Sequence, residues 1–303
     1  GTKMKKRASI FALVFALCAA LLCVGASAAA PRADYYSIWV CGTLVKDSNA
    51  SDVLGDGGSV SYDAESNTLT LNKAELTDTS YDAVIISELD SLNINLVGEN
   101  IIRASETTGG SDVAALLSSG ELTISGNGTL TADSKGPRYP VIYNSTSSLK
   151  ISGNATVNVT ANAGSMGIYV QGSTSDIELS ENSKVTVTTS SNTGIYADRN
   201  VTISENANVS IDVKGSGTAL AADEAINISG GSVYATSASG NAMYAVAGGI
   251  HISGGYVEAV SESARPAVNA PGIVEVTGGE LRAEAWGDIA IQATNEHDPY
   301  GEF

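Results

Sequence analysis

A chain of 303 residues with 33 acidic against 16 basic side chains, a net charge of −17, is a poor partner for nucleic acid or for an anionic membrane surface. Hydrophobic residues make up 43% of it, enough to build a packed core, and three cysteines are too few for a disulfide-stapled scaffold.

The N-terminus reads as a secretory signal peptide over residues 1–28. Met4 is followed by Lys5, Lys6 and Arg7, then by an apolar run from Ala8 to about Val24 that ends in Ala26-Ser27-Ala28. The run is short for a membrane span and lacks a charged stop-transfer flank, so no membrane insertion is expected once it is removed. Gly1 to Lys3 precede the natural start and, with Glu302-Phe303, read as residues added in cloning. Cleavage after Ala28 leaves 12 basic and 33 acidic residues, a net charge of −21. It also leaves Cys41 as the one remaining cysteine, expected to be a small buried apolar residue. The expected location is extracellular, with attachment to the cell surface through a region beyond residue 303.

Residues 29–57 read as an N-terminal cap rich in large apolar groups, with Tyr35, Tyr36, Ile38, Trp39 and Val40, and a helical turn over Ser51–Gly55. From residue 58 to 303 the chain repeats. Alternating triplets recur as Leu69-Thr-Leu71, Ile94-Asn-Leu96, Leu122-Thr-Ile124, Leu149-Lys-Ile151, Ile177-Glu-Leu179, Val201-Thr-Ile203, Ile226-Asn-Ile228, Ile250-His-Ile252 and Val274-Glu-Val276. Their last residues stand 24 to 28 apart, a period that means a solenoid. The period of two within each triplet is the strand signal. A second strand follows with inward pairs such as Val157/Val159, Val185/Val187 and Val209/Ile211, and then a short third strand such as Ile168-Tyr169-Val170. The expected fold is therefore all-β: a parallel β-helix of three strands per coil and about nine coils, right-handed because parallel crossovers overwhelmingly are. At about 4.8 Å per coil the rod is on the order of 40 Å long.

Three residues after each triplet from Ile124 onward stand Asn127, Asn154, Asn182, Asn206, Gly231, Gly255 and Gly279. Asn and Gly tolerate a left-handed backbone at low cost, so these positions are expected to make a sharp bend, with the asparagines stacked as a hydrogen-bonded ladder. Ile289-Ala-Ile291 reads as the start of a further coil, which makes a C-terminally truncated solenoid the expectation.

Tyr36–Thr43, Asp52–Gly57, Ser61–Leu71 and Asn95–Asn100 resemble the opening of repetitive surface proteins of gut clostridia. Such proteins carry the label of carbohydrate-binding-domain proteins, with a pectin-lyase-like β-helix. The resemblance implies a cell-surface role and binding of plant or host polysaccharide.

The site expected to bind ligand is aromatic. Tyr143, Tyr169 and Tyr196 occupy matching places in three successive third strands, flanked by apolar residues that face inward. They form an outward stripe whose flat rings and polar tips suit sugars. The alternative is an aromatic ladder that only covers the sheet. Glu181 and Glu205 sit on neighbouring coils at a stacked separation of about 5 Å, suited to a retaining glycosidase or a calcium ion. The plainer reading, two turn carboxylates that splay into water, is preferred. His251 points outward and reads as solvated. No catalytic residue, metal or cofactor is expected.

The functional expectation is a non-catalytic carbohydrate-binding or adhesion module. The alternatives are the structural stalk of a larger surface adhesin, or a polysaccharide lyase or glycoside hydrolase. The expected partners are a plant or host polysaccharide or a host surface, with end-to-end self-association through an uncapped last coil.

Overall fold

The computed structural model describes residues 34–78, 82–104, 113–136, 139–162 and 164–293. The expected signal peptide and the tail from Thr294, with His297, lie outside the described residues. The unit that begins at Tyr35 is all β, with no helix among the described residues. Its strands form two sheets, one of seventeen strands holding the first and second strands of every coil and one of eleven holding the third.

Alternation builds the coils as a parallel β-solenoid. Leu122 and Ile124 lie in register on Leu149 and Ile151, and the column continues through Ile177/Leu179, Val201/Ile203, Ile226/Ile228, Ile250/Ile252 and Val274/Val276. From Leu122 to Ile252 these side chains are fully buried or nearly so. Each contributes roughly 1.5–3 kcal/mol relative to an exposed position. The second strands stack likewise, with Leu130/Ala132, Val157/Val159, Val185/Val187, Val209/Ile211, Val233/Ala235 and Val257/Ala259 inside. Nine rungs stack through eight coil-to-coil steps.

One stretch is registered differently from the sequence alignment. Leu122 and Ile124 pair with Leu92 and Ile94, not with Ile94 and Leu96, while Leu69 and Leu71 pair with Ile94 and Leu96 as expected. The strand Ser91–Val97 carries three inward apolar residues, so two registers of equal parity compete. The second strands follow the same offset, with Thr131 on Ile101 and Asp133 on Arg103.

The sharp bends also fall elsewhere than expected. Asn127, Asn154, Asn182 and Asn206 do not take positive φ. The residue before each does: Gly126 (106°), Gly153 (67°), Glu181 (59°) and Glu205 (59°). The asparagine amides are committed to the ladder, with Nδ2 of Asn154, Asn182 and Asn206 donating to Oδ1 of the preceding Asn at 2.8, 3.1 and 3.1 Å. In the later coils the bend does sit on Gly231, Gly255 and Gly279. There the first and second strands merge into the 13-residue strands Ala225–Ser237 and Gly249–Ser261.

The N-terminal cap is antiparallel. Tyr35–Val40 and Thr43–Lys46 form a hairpin, and Tyr35–Val40 adds antiparallel to Ala83–Ser87 at the edge of the eleven-stranded sheet. Val60–Asp63 closes the other sheet against Thr68–Asn72, so the capping structure runs six residues past position 57. No helical turn forms over Ser51–Gly55; Asp52 Oδ1 and Oδ2 accept the N–H groups of Asp56 and Gly57 in a chain of turns. Cys41 is not a buried strand residue. With Gly42 it makes the two-residue hairpin turn at φ 46° and 72°, and it is half-buried. At the other end Ile291–Ala293 is the third strand of the last coil, paired with Val268–Ala270, and does not open a new one.

Candidate functional site: the outward face of the third strands

A third strand is only three residues long in most coils, with two inward side chains around one outward side chain, as in Ile168-Tyr169-Val170 and Ile195-Tyr196-Ala197. Both inward partners are fully buried and the tyrosines between them are half-buried. Parallel pairing in register then stacks the outward residues rung on rung: Tyr143 on Tyr169, Tyr169 on Tyr196. The three tyrosines singled out from the sequence therefore come together.

Their rings lie face to face along the stacking direction. Tyr143 and Tyr169 have centroids 5.6 Å apart at 11°, and Tyr169 and Tyr196 have centroids 5.2 Å apart at 6°. Stacking at this distance is favourable by about 0.5–1.5 kcal/mol per pair. It also turns the ring faces toward one another and the edges toward solvent, so both faces of Tyr169 are covered. Tyr139 extends the cluster, tilted by 33° at 6.2 Å from Tyr143.

A row of acceptors runs beside the rings. Each hydroxyl donates to the side chain two residues past the outward position of the next rung. Tyr143 donates to Gln171 Oε1, Tyr169 to Asp198 Oδ1 at 2.9 Å, and Tyr196 to Asp223 Oδ1 at 2.6 Å. The hydroxyls of Tyr169 and Tyr196 are held well above the ordinary phenol range, first by burial and then by the hydrogen bond to the carboxylate. Burial, with help from Tyr139 and Asp198, raises Tyr143 as well. The three phenols are thus fixed as neutral donors at all ordinary pH.

The column is longer than the sequence alignment implied. Toward the N-terminus it continues through Leu117, Ile86 and Trp39. Toward the C-terminus Ala221 follows Tyr196, and its partner is Tyr244, while Ala245 faces inward and is fully buried. Tyr244 is followed by Asn269 and Gln292. Two signals were available in the sequence. The pattern small–aliphatic–X–small in Ala219–Ala222, Ala242–Ala245 and Ala267–Ala270 places Ala221, Tyr244 and Asn269 in one column, and Gln171, Asp198 and Asp223 stand at a constant spacing after it.

Glu181 and Glu205 take the same bend on neighbouring coils, at φ 59° each. Glu181 turns its carboxylate back to the preceding coil, where Oε2 accepts the Gly153 N–H at 2.8 Å; Glu205 has no hydrogen-bond partner among the described residues. The column that holds them otherwise carries no charge to complete a catalytic or metal-binding group. His251 faces outward with Nε2 on the Gly248 carbonyl at 2.9 Å and Nδ1 3.3 Å from Glu275. Two basic groups on these coils are engaged: Arg199 grips Asp176 through two hydrogen bonds of 2.8 and 2.6 Å, and Lys150 pairs with Glu178 at 2.7 Å. Among the described residues no group of three or more His, Cys, Asp or Glu side chains gathers in a way that would hold a metal ion.

Comparison with curated proteins and with solved structures yields no match. A family model described as carbohydrate-binding domain-containing protein matches residues 53–171, a span that includes Tyr143 and Tyr169 and ends before Tyr196.

Proposed function

We propose that this chain is a non-catalytic carbohydrate-binding module, secreted or held at the cell surface, and that polysaccharide docks along the outward column of the third strands. The observation that carries the reading is the column itself: an unbroken line from Trp39 to Tyr196 of large side chains facing out of one sheet, parallel from Ile86 onward, in a chain of net charge −17. A glycan lying along this line meets one rung about every 4.8 Å, commensurate with one sugar ring per rung of an extended polysaccharide. Ring edges supply the apolar contact, and the row of Gln171, Asp198 and Asp223 supplies acceptors for sugar hydroxyls. The family match over residues 53–171 supports the same ligand class.

A glycan array probed with the wild type and with the Tyr143→Ala/Tyr169→Ala/Tyr196→Ala variant tests this. The wild type is expected to bind neutral polysaccharides, and the variant to lose about tenfold or more in affinity while keeping the β-sheet circular dichroism of the wild type. No glycan bound by the wild type, or equal binding by the folded variant, overturns the proposal.

A further inference from the structure

The tyrosine column has a missing rung. Each ring leans toward the following coil because its hydroxyl is tied there, and the next ring then covers it. Tyr196 leans in the same way, with its hydroxyl on Asp223, but the next outward residue is Ala221. Ala221 is only 6% exposed although it faces outward, as expected if the Tyr196 ring lies across it. Tyr244 stands one rung further on, two strand spacings or roughly 9.6 Å from Tyr196, and the two rings make no contact. One face of Tyr196 is therefore the first in the stack without a ring over it.

The carboxylate beside it differs from its counterpart in the same respect. Asp198 uses both oxygens, Oδ1 for the Tyr169 hydroxyl and Oδ2 for the Gly172 N–H at 2.9 Å. Asp223 uses only Oδ1, and its Oδ2 accepts from no donor among the described residues. Val246, 41% exposed, follows Asp223 on the next rung and gives the gap an apolar rim.

We propose that the gap between Tyr196 and Tyr244 is a subsite for one neutral pyranose ring, stacked on the face of Tyr196 that no ring covers and donating a hydroxyl to Asp223 Oδ2. The subsite rests on the carbohydrate-binding reading above and locates it. Two strand spacings along the backbone separate the rungs of Tyr196 and Tyr244, a length that suits one sugar ring between two aromatic rings. The charge selects the class: Asp198 and Asp223 stand beside the rings, while the guanidinium of Arg199 is committed to Asp176, so a uronate or sialate is repelled.

Completing the ladder is the test. Ala221→Tyr restores a ring at a position that is Tyr on both neighbouring coils, and Ala221→Leu fills the gap without a ring. Isothermal titration with cellohexaose, xylohexaose and mannohexaose, and with polygalacturonate as the acidic comparison, reads the outcome. Binding of at least one neutral oligosaccharide is expected for the wild type, with about tenfold weaker binding for Ala221→Tyr, Ala221→Leu and Asp223→Asn. Wild-type affinity in folded Ala221→Tyr or Ala221→Leu overturns the subsite. If the triple tyrosine variant still loses binding in that case, the wider carbohydrate-binding reading stands without it; if the wild type binds no oligosaccharide, both fall together.

Discussion

Ile203→Lys is expected to destabilise the protein by about 4 kcal/mol or more, whereas Thr202→Lys, one residue away, changes stability by no more than about 0.5 kcal/mol. Ile203 is fully buried between Leu179 and Ile228 of the adjoining coils, and nothing within reach compensates an ammonium group there. Thr202 is half-exposed on the opposite face of the same strand, in register with Glu178, where a lysine meets a carboxylate in water. The total stability of a domain is about 5–15 kcal/mol, so the first substitution removes a large part of it. The effect is compounded because each coil of a solenoid is held mainly by its two neighbours, and a failed middle rung separates the coils on either side. Urea unfolding followed by circular dichroism gives both values. Equal midpoints for the two variants would contradict the alternation on which the coil is built.

Gly231→Ala is expected to cost about 3 kcal/mol or more, and Gly153→Ala only about 1–2 kcal/mol, although both glycines make the corresponding bend of their coils. The conformational part is shared, since φ is 73° at Gly231 and 67° at Gly153. The space differs. A Cβ on Gly231 would lie 2.1 Å from the carbonyl oxygen of Ala207 and 3.1 Å from its N and C atoms, which belong to the rung below and cannot withdraw without breaking the stack. A Cβ on Gly153 meets its nearest atoms, the backbone of Gly126, at 3.4 Å. Comparing thermal unfolding of the two variants separates backbone conformation from coil-to-coil contact. A cost at Gly153 as large as that at Gly231 would mean that conformation alone limits both sites.

The parts of the fold that depend on parity were legible in the sequence. Which residues face inward follows from alternation alone, and every inward pair expected for the second strands is where alternation puts it. Register is a different matter, because a shift of two residues preserves parity. Ser91–Val97 offers three inward residues to two positions, and it pairs through Ile94 and Leu96 on one side and through Leu92 and Ile94 on the other. The bends were misplaced for a related reason. Asn and Gly share a tolerance for left-handed backbone, but in four coils the asparagine side chain is worth more as a rung of the amide ladder, and the preceding Gly or Glu takes the strained conformation.

The tyrosine column was legible as a column and not as a stack. Spacing brings Tyr143, Tyr169 and Tyr196 together, but ring orientation depends on where each hydroxyl is tied, and those ties run to the next coil. The consequence for recognition is large. Rings standing side by side and facing outward would offer three flat platforms; stacked rings offer edges along their length and a bare face where the stacking stops.

Fluorine NMR of protein labelled with 3-fluorotyrosine tests the central claim, that a neutral glycan docks on this outward column. Single Tyr→Phe variants assign the resonances of Tyr143, Tyr169, Tyr196 and Tyr244. Titration with the oligosaccharide of highest affinity is expected to shift the Tyr196 and Tyr244 resonances most and those of Tyr143 and Tyr169 less, while Tyr234, on the other sheet, stays still. A bound glycan that leaves all four column resonances unmoved would place recognition elsewhere and contradict the claim.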